Sequence, residues 1–380
     1  MVLRVRSDCL APRYDVSSPE SVEESASFSI PSDSAWATVP RLWSRSRTVP
    51  MAPSEHGSQG TSSIDSKWMI GGRPRRWVGE YLLIERLGGG GQGTVWKAVR
   101  TEPFVELVAL KMLSPLFGQD ERRVAQLRRE AERAARLNSP SILPAYDFGI
   151  AEGIVYMAMP LIRGFALSEV IRQRRHWVAG RPLGKWHPLA LLADQDYEER
   201  IVRIISRIAR ALSEAHSANV VHRDIKPSNI LIDEYSIIDV YLSDFGLGRD
   251  LDVATPAQLK DGAGTPIYMA PEKLLKGYFD EVRCDVYSLG ATLFEALTTA
   301  QPFQPPAEMP RIVWPTFMAA QKTPGIRDVK PNLDETLEAI VFQSMSRDPE
   351  MRYATADQFR VDLDDYLAGK PPRGLAARSR

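Results

Sequence analysis

The sequence predicts an α+β fold, with a small antiparallel sheet and one helix ahead of a larger, mainly helical part. Three observations carry this. Tyr81-Leu82-Leu83-Ile84-Glu85-Arg86-Leu87 and Thr94-Val95-Trp96-Lys97-Ala98-Val99 read as partner strands around a glycine run, Gly88-Gly89-Gly90-Gly91-Gln92-Gly93. Leu107-Val108-Ala109-Leu110-Lys111-Met112-Leu113 reads as a further strand, apolar but for one lysine. From Glu198 to His216 the residues Ile201, Ile204, Ile205, Ile208, Leu212 and Ala215 recur at helical spacing. Strands grouped ahead of helices, rather than alternating with them, point to α+β.

Composition narrows the function classes. Forty-eight basic residues balance 48 acidic ones in 380, so no global field draws nucleic acid or an anionic membrane. Hydrophobic residues make up 44 %, enough for a substantial core. The two cysteines, Cys9 and Cys284, lie far apart with no metal-ligand spacing, which suits a reducing cytoplasm better than a disulfide framework. No apolar run is long enough to span a membrane, and the N-terminus lacks the apolar core of a secretory signal.

Residues 1–76 are rich in serine and proline and lack sustained apolar periodicity, so a disordered segment is expected. A regulatory segment carrying phosphoacceptor serines, or a translation start at Met51 or Met69, are the alternatives. The pattern changes at Trp77. Glycines between the first two strands let backbone N–H groups approach phosphate oxygens without side-chain obstruction. A dinucleotide-binding reading needs a helix after them, and here a strand follows. A helix is expected over Asp120–Leu137, with Val124, Leu127, Ala131 and Ala134 on its apolar stripe, then strands over Ile142–Phe148 and Ile154–Met159. Residues 172–197 read as an insertion holding Arg172, Arg174, Arg175, His176, Trp177, Arg181, Lys185 and Trp186. Such a mixture suits a nucleic-acid or phosphopeptide surface, and equally a basic loop whose tryptophans pack locally. Glu198–His216 is a core helix.

That helix leads to Val221-His222-Arg223-Asp224-Ile225-Lys226-Pro227-Ser228-Asn229. On this short stretch Asp224 can accept a proton from a hydroxyl, Lys226 can neutralise a phosphate oxygen, and Asn229 offers an oxygen to a hard divalent cation. Asp244-Phe245-Gly246 follows, with a carboxylate suited to the same metal. The ordered series resembles the protein-kinase catalytic loop followed by the metal-binding loop. Gly88–Val95 fits G-x-G-x-x-G-x-V, Val108-Ala109-Leu110-Lys111 resembles V-A-I-K, and Gly264-Thr265-Pro266-Ile267-Tyr268-Met269-Ala270-Pro271-Glu272 resembles the end of the activation segment. Asp285-Val286-Tyr287-Ser288-Leu289-Gly290 resembles the start of the family's central helix, and Arg352 is placed to pair with Glu272. The likeness covers roughly residues 80–367 and is similar in style to bacterial kinases of the eukaryotic (Hanks) type.

The resemblance implies a bilobal protein-kinase fold over 77–367, with a small lobe over about 77–160, a large lobe over about 163–367 and a short basic tail at 368–380. It implies a serine/threonine protein kinase that uses ATP and Mg²⁺, with Mn²⁺ as an alternative, acts on protein hydroxyls in bacterial signalling, and autophosphorylates. Leu87, Gly88, Gly90, Gly93, Val95 and Ala109 would surround the nucleotide, and Met159, Pro160 and Ile162 would form the back of the pocket and the hinge. Pro160 stands where the family usually has an acidic residue; only its carbonyl would be needed. Lys111, positioned by Glu130, would hold the α- and β-phosphates. Asn229 and Asp244 would hold the metal, and Asp224, Lys226 and Thr265 would serve the transfer. Arg223 would receive a phosphate on Thr255 together with Arg249, or else pair with Asp252 or Asp261. A catalytically weak kinase-fold scaffold is the alternative, though such proteins usually lack the counterparts of Lys111, Asp224 or Asp244. A small-molecule kinase of related fold would rarely keep the full activation segment.

Overall fold

A computed structural model describes residues 69–376 apart from 71–72, 75–76, 91–92, 102–104, 114–120, 138, 235, 237–238, 246–265, 276–278 and 311–312; the side chains of 69–70, 73–74, 121–123, 126, 127, 130 and 375–376 also lie outside the described set. The expectation of disorder over 1–76 falls outside it as far as residue 68. Regular structure begins before Trp77, because Met69–Ile70 pairs antiparallel with Arg73–Pro74.

A six-stranded antiparallel sheet follows: β1 (Trp77–Val78), β2 (Tyr81–Gly90), β3 (Gly93–Arg100), β4 (Glu106–Leu113), β5 (Asp147–Ala151) and β6 (Ile154–Pro160), in spatial order β1-β2-β3-β4-β6-β5. Between β4 and β5 lies helix α1 (Glu121–Ala134). Each strand has two faces, and each face buries its own core. Val78, Tyr81, Leu83, Ala98, Val108 and Leu110 fill one. Ala109, Leu113, Val155, Met157 and Met159 fill the other, with Val124 and Ala131 of α1 packed against them. Alternate residues therefore separate, and Lys111 lies on the same face as Ala109. Gly93 has φ 140°, and a Cβ there would stand 2.0 Å from the Met112 carbonyl oxygen, so only glycine allows β3 to turn so close to β4.

The expected strand over Ile142–Phe148 is a correction. Ile142 makes a single parallel bridge to Leu242, and the strand proper is Asp147–Ala151. The apolar side chains are buried as expected, but the backbone bonds of this stretch run elsewhere. The Leu242 N–H donates to the Ser141 carbonyl at 2.8 Å, and the Leu143 N–H donates to the Leu242 carbonyl at 3.0 Å.

The helical part begins with β7 (Gly164–Ala166), α2 (Leu167–Val178) and α3 (Asp194–Ser217). Ile201, Ile204, Ile205, Ile208, Leu212 and Ala215 of α3 are all buried, and each such isoleucine contributes about 1.5–3 kcal/mol relative to exposure. Strands β8 (Ile230–Asp233) and β9 (Val240–Leu242) pair antiparallel, and β7 joins them on the other edge of β8. They bracket the stretch that ends at Asn229. After α4 (Pro271–Leu274), helix α5 (Glu281–Thr298) runs through the middle with residues 284–297 all buried. Asp280 caps it, accepting from the N–H groups of Val282 at 2.8 Å and Arg283 at 3.4 Å. Helices α6 (Trp314–Ala320), α7 (Ile326–Val329), α8 (Glu335–Ser344), α9 (Ala356–Leu367) and α10 (Arg373–Ala376) complete the described part. Gly290 lets α5 and α8 touch, since a Cβ there would meet Ser344 Oγ at 2.1 Å.

Residues 172–197 are also a correction. Arg172–Val178 belong to α2 rather than to an inserted loop, and several basic groups are engaged internally. Arg174 is buried, donates to the Ala190 carbonyl at 3.2 Å, pairs with Asp194 and lies 4.5 Å over the Tyr197 ring. Arg175 reaches the Thr299 carbonyl at 2.8 Å, and Lys185 pairs with Glu234 at 3.3 Å. Trp177 and Trp186 remain about half exposed, at 49 % and 47 %.

Candidate active site

The stretch 221–229 is held from behind by α5. Buried Asp285 accepts the backbone N–H groups of His222 and Arg223, each at 2.8 Å, and His216 Nε2 donates to it at 3.0 Å. Those bonds fix Arg223 at φ 71°, a left-handed conformation that costs of order 1–3 kcal/mol in a non-glycine residue. Burial raises the Asp285 carboxyl, but His216 and the donated N–H groups outweigh it and hold the group below its ordinary value. His222 is fully buried. Its Nε2 donates to the Ser243 carbonyl at 2.8 Å, its Nδ1 accepts the Asp224 N–H at 3.2 Å, and the Phe245 ring lies edge-on at 4.6 Å. Burial pushes its pKa down, with Asp285, Asp224 and Asp244 opposing, which matches a neutral ring with the proton on Nε2.

Asp224 therefore emerges from an immobilised backbone. Lys226 Nζ donates to Asp224 Oδ2 at 2.8 Å, while Asn229 Nδ2 donates to the Asp224 carbonyl at 2.7 Å and to Oδ2 at 3.3 Å. With its amide nitrogen so occupied, the Asn229 Oδ1 accepts, among the described residues, only from the Ser228 hydroxyl at 3.5 Å. Asp244 follows β9 at φ 69°. Its Oδ1 lies 2.8 Å from Lys111 Nζ. Burial again raises this carboxyl, but Lys111 and Lys226 outweigh it and hold it below the ordinary carboxylate range. The structure thus gathers Lys111, Asp224, Lys226, Asn229 and Asp244, from β4, the 221–229 stretch and the turn after β9.

Several of the residues expected around a nucleotide lie on one part of the sheet. Ala109 and Met159 are cross-strand partners in β4 and β6, as are Val108 and Pro160. Val95 and Ile162 pack against the same apolar cluster, with Leu87 exposed on β2. A Cβ at Gly88 would meet no protein atom within 4 Å, so no internal crowding demands glycine there, and the open space suits a ligand. Leu231 packs on this cluster too. It was not singled out from the sequence, where it is one apolar residue in an ordinary strand. Gly90 ends β2 and Gly93 begins β3, with 91–92 outside the described residues. The Glu130 side chain and Thr265 also lie outside them, as do Arg249, Asp252, Thr255 and Asp261. The Arg352–Glu272 pair forms as expected, bidentate at 2.6 and 2.7 Å, with the Arg352 side chain wholly buried over the Tyr287 ring.

Asp285 and Glu281 were missed as functional residues. Glu281 accepts from Arg223 Nε at 2.9 Å and from a terminal guanidinium nitrogen at 2.6 Å. The sequence marks Asp285 only as the opening residue of the central-helix motif, without the backbone it anchors, and nothing local marks Glu281.

A small antiparallel sheet over a helical lobe, with an aspartate-lysine-asparagine turn facing a second aspartate, defines the protein-kinase fold. The protein kinase domain family matches residues 81–361, and the chain belongs to that family. Similar curated proteins include a probable serine/threonine-protein kinase CPE1738 of Clostridium perfringens, 30 % identical over 75 % of this chain and 38 % of its own length. Serine/threonine-protein kinase pkn3 of Myxococcus xanthus is 32 % identical over 75 % of this chain and 49 % of its own. Serine/threonine-protein kinase PrkC of Bacillus subtilis is 32 % identical, over 76 % and 41 %. The chain thus spans less than half the length of these relatives. Among solved structures, the Mycobacterium tuberculosis PknI kinase domain superposes with a TM-score of 0.57 at 24 % identity, covering 77 % of this chain and 97 % of that one. At that identity the likeness speaks for the fold alone. The family uses ATP and a divalent metal generally, and the donor set here fits: a carboxylate and a carboxamide oxygen beside a buried lysine.

Proposed function

We propose that this chain is a serine/threonine protein kinase that transfers the γ-phosphoryl group of ATP to hydroxyls of protein substrates, itself included, in bacterial signalling. The observation that carries this is the convergence of Lys111, Asp224, Lys226, Asn229 and Asp244 on one site, with both aspartates held in immobilised turns. Phosphoryl transfer requires in-line positioning and charge neutralisation more than covalent help from the protein. Asp224 orients the incoming hydroxyl and takes its proton late, so an ordinary carboxylate suffices. Lys226, already 2.8 Å from Asp224, keeps that carboxylate aimed and neutralises the transferred group. Asn229 and Asp244 hold Mg²⁺, which when bound screens the phosphate oxygens from the nucleophile. Lys111 binds the α- and β-phosphates, with Glu130 as its positioning partner and Asp244 as its present one.

The residues Leu87, Gly88, Gly90, Gly93, Val95, Ala109, Met159, Pro160 and Ile162 form the nucleotide pocket in this reading. Lys226 and Thr265 support serine/threonine over tyrosine as acceptor. A cytoplasmic location accords with the free, buried Cys284; no helix among the described residues is long and apolar enough to cross a membrane. Incubation with γ-³²P-labelled ATP, Mg²⁺ and a generic basic protein, followed by phosphoamino-acid analysis, tests the proposal. Label on serine or threonine supports it, and label on tyrosine alone, or none with any divalent metal, contradicts it.

A further inference from the structure

Away from the cleft, α3 carries Arg200, Arg203, Arg207 and Arg210 on the side opposite its isoleucines. Their spacing of three, four and three residues makes a stripe about 15 Å long. It lines a groove of about 480 Å³, whose other wall includes Ser139, Ser141 and Asp364. Arg203 pairs with Glu199 at 2.8 Å, both on the surface. Asp364, which lines the groove, is already taken by Ser206 and Arg360 at 2.5 Å each. Among the described residues no carboxylate pairs with Arg200, Arg207 or Arg210. Like charges at these spacings work against a helix, so their accumulation along one groove calls for an external anion.

We propose that this groove docks a protein partner through a peptide segment bearing phosphoserine or phosphothreonine. Side chains three or four apart on a helix stand about 5–6 Å apart at Cβ. Two guanidiniums at that separation can share one phosphate, whose three acceptor oxygens and charge near −2 exceed what a single carboxylate offers. Ser139, partly exposed, also lines the groove and offers a small polar side chain. Glu214 and Asp364 also line the groove. They disfavour an unbroken row of phosphates but accept a peptide whose charges are spaced. Nucleic acid fits less well, because no aromatic side chain lines the groove for bases to stack on and the chain has no net charge. A membrane surface fits less well because the groove is concave and its apolar lining is only Pro140, Ala211 and Leu367, with no large aromatic to insert. The Ser141 carbonyl accepts the N–H of Leu242, two residues before Asp244, while none of Lys111, Asp224, Lys226, Asn229 and Asp244 lines the groove.

The test is fluorescence anisotropy on the full chain without ATP. The probe is a labelled peptide with two phosphoserines among glutamates and glycines. Companion probes replace the phosphoserines by serine or glutamate, and oligothymidine and phosphatidylserine vesicles serve as competitors. The phosphopeptide should bind best. Arg207→Gln with Arg210→Gln should weaken it about tenfold and flatten its salt dependence. Arg200→Gln with Arg203→Gln should do likewise, and Arg129→Gln, on the exposed surface of α1, should not. Repeating the measurement with Asp224→Asn keeps docking separate from catalysis. Unchanged binding by both double variants, equal binding of the glutamate peptide, or stronger binding of oligothymidine or vesicles would overturn the proposal.

Discussion

Arg223 grips Glu281 with two nitrogens of its guanidinium, at 2.9 and 2.6 Å, tying the residue before Asp224 to the first turn of α5. The Arg223 side chain is 9 % exposed and that of Glu281 32 %, so the pair is only partly screened by solvent. Lys273 Nζ adds a bond to the Arg223 carbonyl at 3.3 Å. A carboxylate built into the fold thus sits where an activation-loop phosphate was expected to be needed. Phosphatase-treated wild-type protein should keep most of its activity, and so should Thr255→Ala. Glu281→Gln should lower kcat of that treated protein about tenfold, about 1.4 kcal/mol, with little change in KM for ATP. A treated Thr255→Ala protein that is inactive, or a Glu281→Gln protein at wild-type rate, would sink this account.

The Lys111–Asp244 pair predicts a coupling in stability. Both side chains are largely buried, at 5 % and 17 % exposure. Removing the cation alone leaves a desolvated carboxylate, at a cost of about 1–3 kcal/mol. Lys111→Met should therefore unfold at lower urea than wild type, and Lys111→Met with Asp244→Asn should recover part of the loss. A double variant less stable than Lys111→Met would show that the pair is not coupled.

Glu272 and Arg352 make the corresponding prediction for the large lobe. Burial raises the Glu272 carboxyl, but the Arg352 bonds and charge outweigh it and hold the group below its ordinary value. Glu272→Gln leaves a wholly buried guanidinium with a weaker partner, and about 2–4 kcal/mol of stability should go with it. Urea midpoints measure this, and a loss under about 0.5 kcal/mol would contradict it.

His222 makes stability depend on pH. Its folded pKa is depressed by burial, so the unfolded chain binds the proton more readily. Stability is then fully present above the unfolded value of about 6.5 and is lost as pH falls from there toward the folded value. The melting temperature should drop between pH 7.5 and 5.5, and His222→Asn should flatten that slope. An identical slope in the variant would refute the assignment.

Much of the site was legible because its chemistry is local. Asp224, Lys226 and Asn229 lie within six residues, and their types at that spacing already specify a base, a cation and a metal oxygen. The stripe of α3 was legible for a similar reason, since helical periodicity needs no knowledge of partners. What failed depended on distant backbone. Ile142 and Leu143 are apolar and buried as a strand would be, yet Leu143 and Ser141 bond to Leu242, about a hundred residues on. The arginines of 172–178 read as a surface loop because nothing nearby shows that Arg174 would find Ala190, Asp194 and Tyr197. Glu281 pairs across 58 residues, and no local pattern announces it.

The central claim, that Asp224 serves the transfer while Asp244 serves the metal and nucleotide, is tested most directly by one paired measurement. Mg²⁺-dependent ATP affinity and kcat are determined for Asp224→Asn and Asp244→Asn side by side. Asp224→Asn should bind ATP nearly as wild type does while kcat falls by about 10²–10⁴. Asp244→Asn should lose both ATP affinity in Mg²⁺ and transfer. An Asp224→Asn protein that phosphorylates a basic substrate at wild-type rate, or an Asp244→Asn protein with unchanged Mg²⁺-dependent ATP binding, would contradict the account.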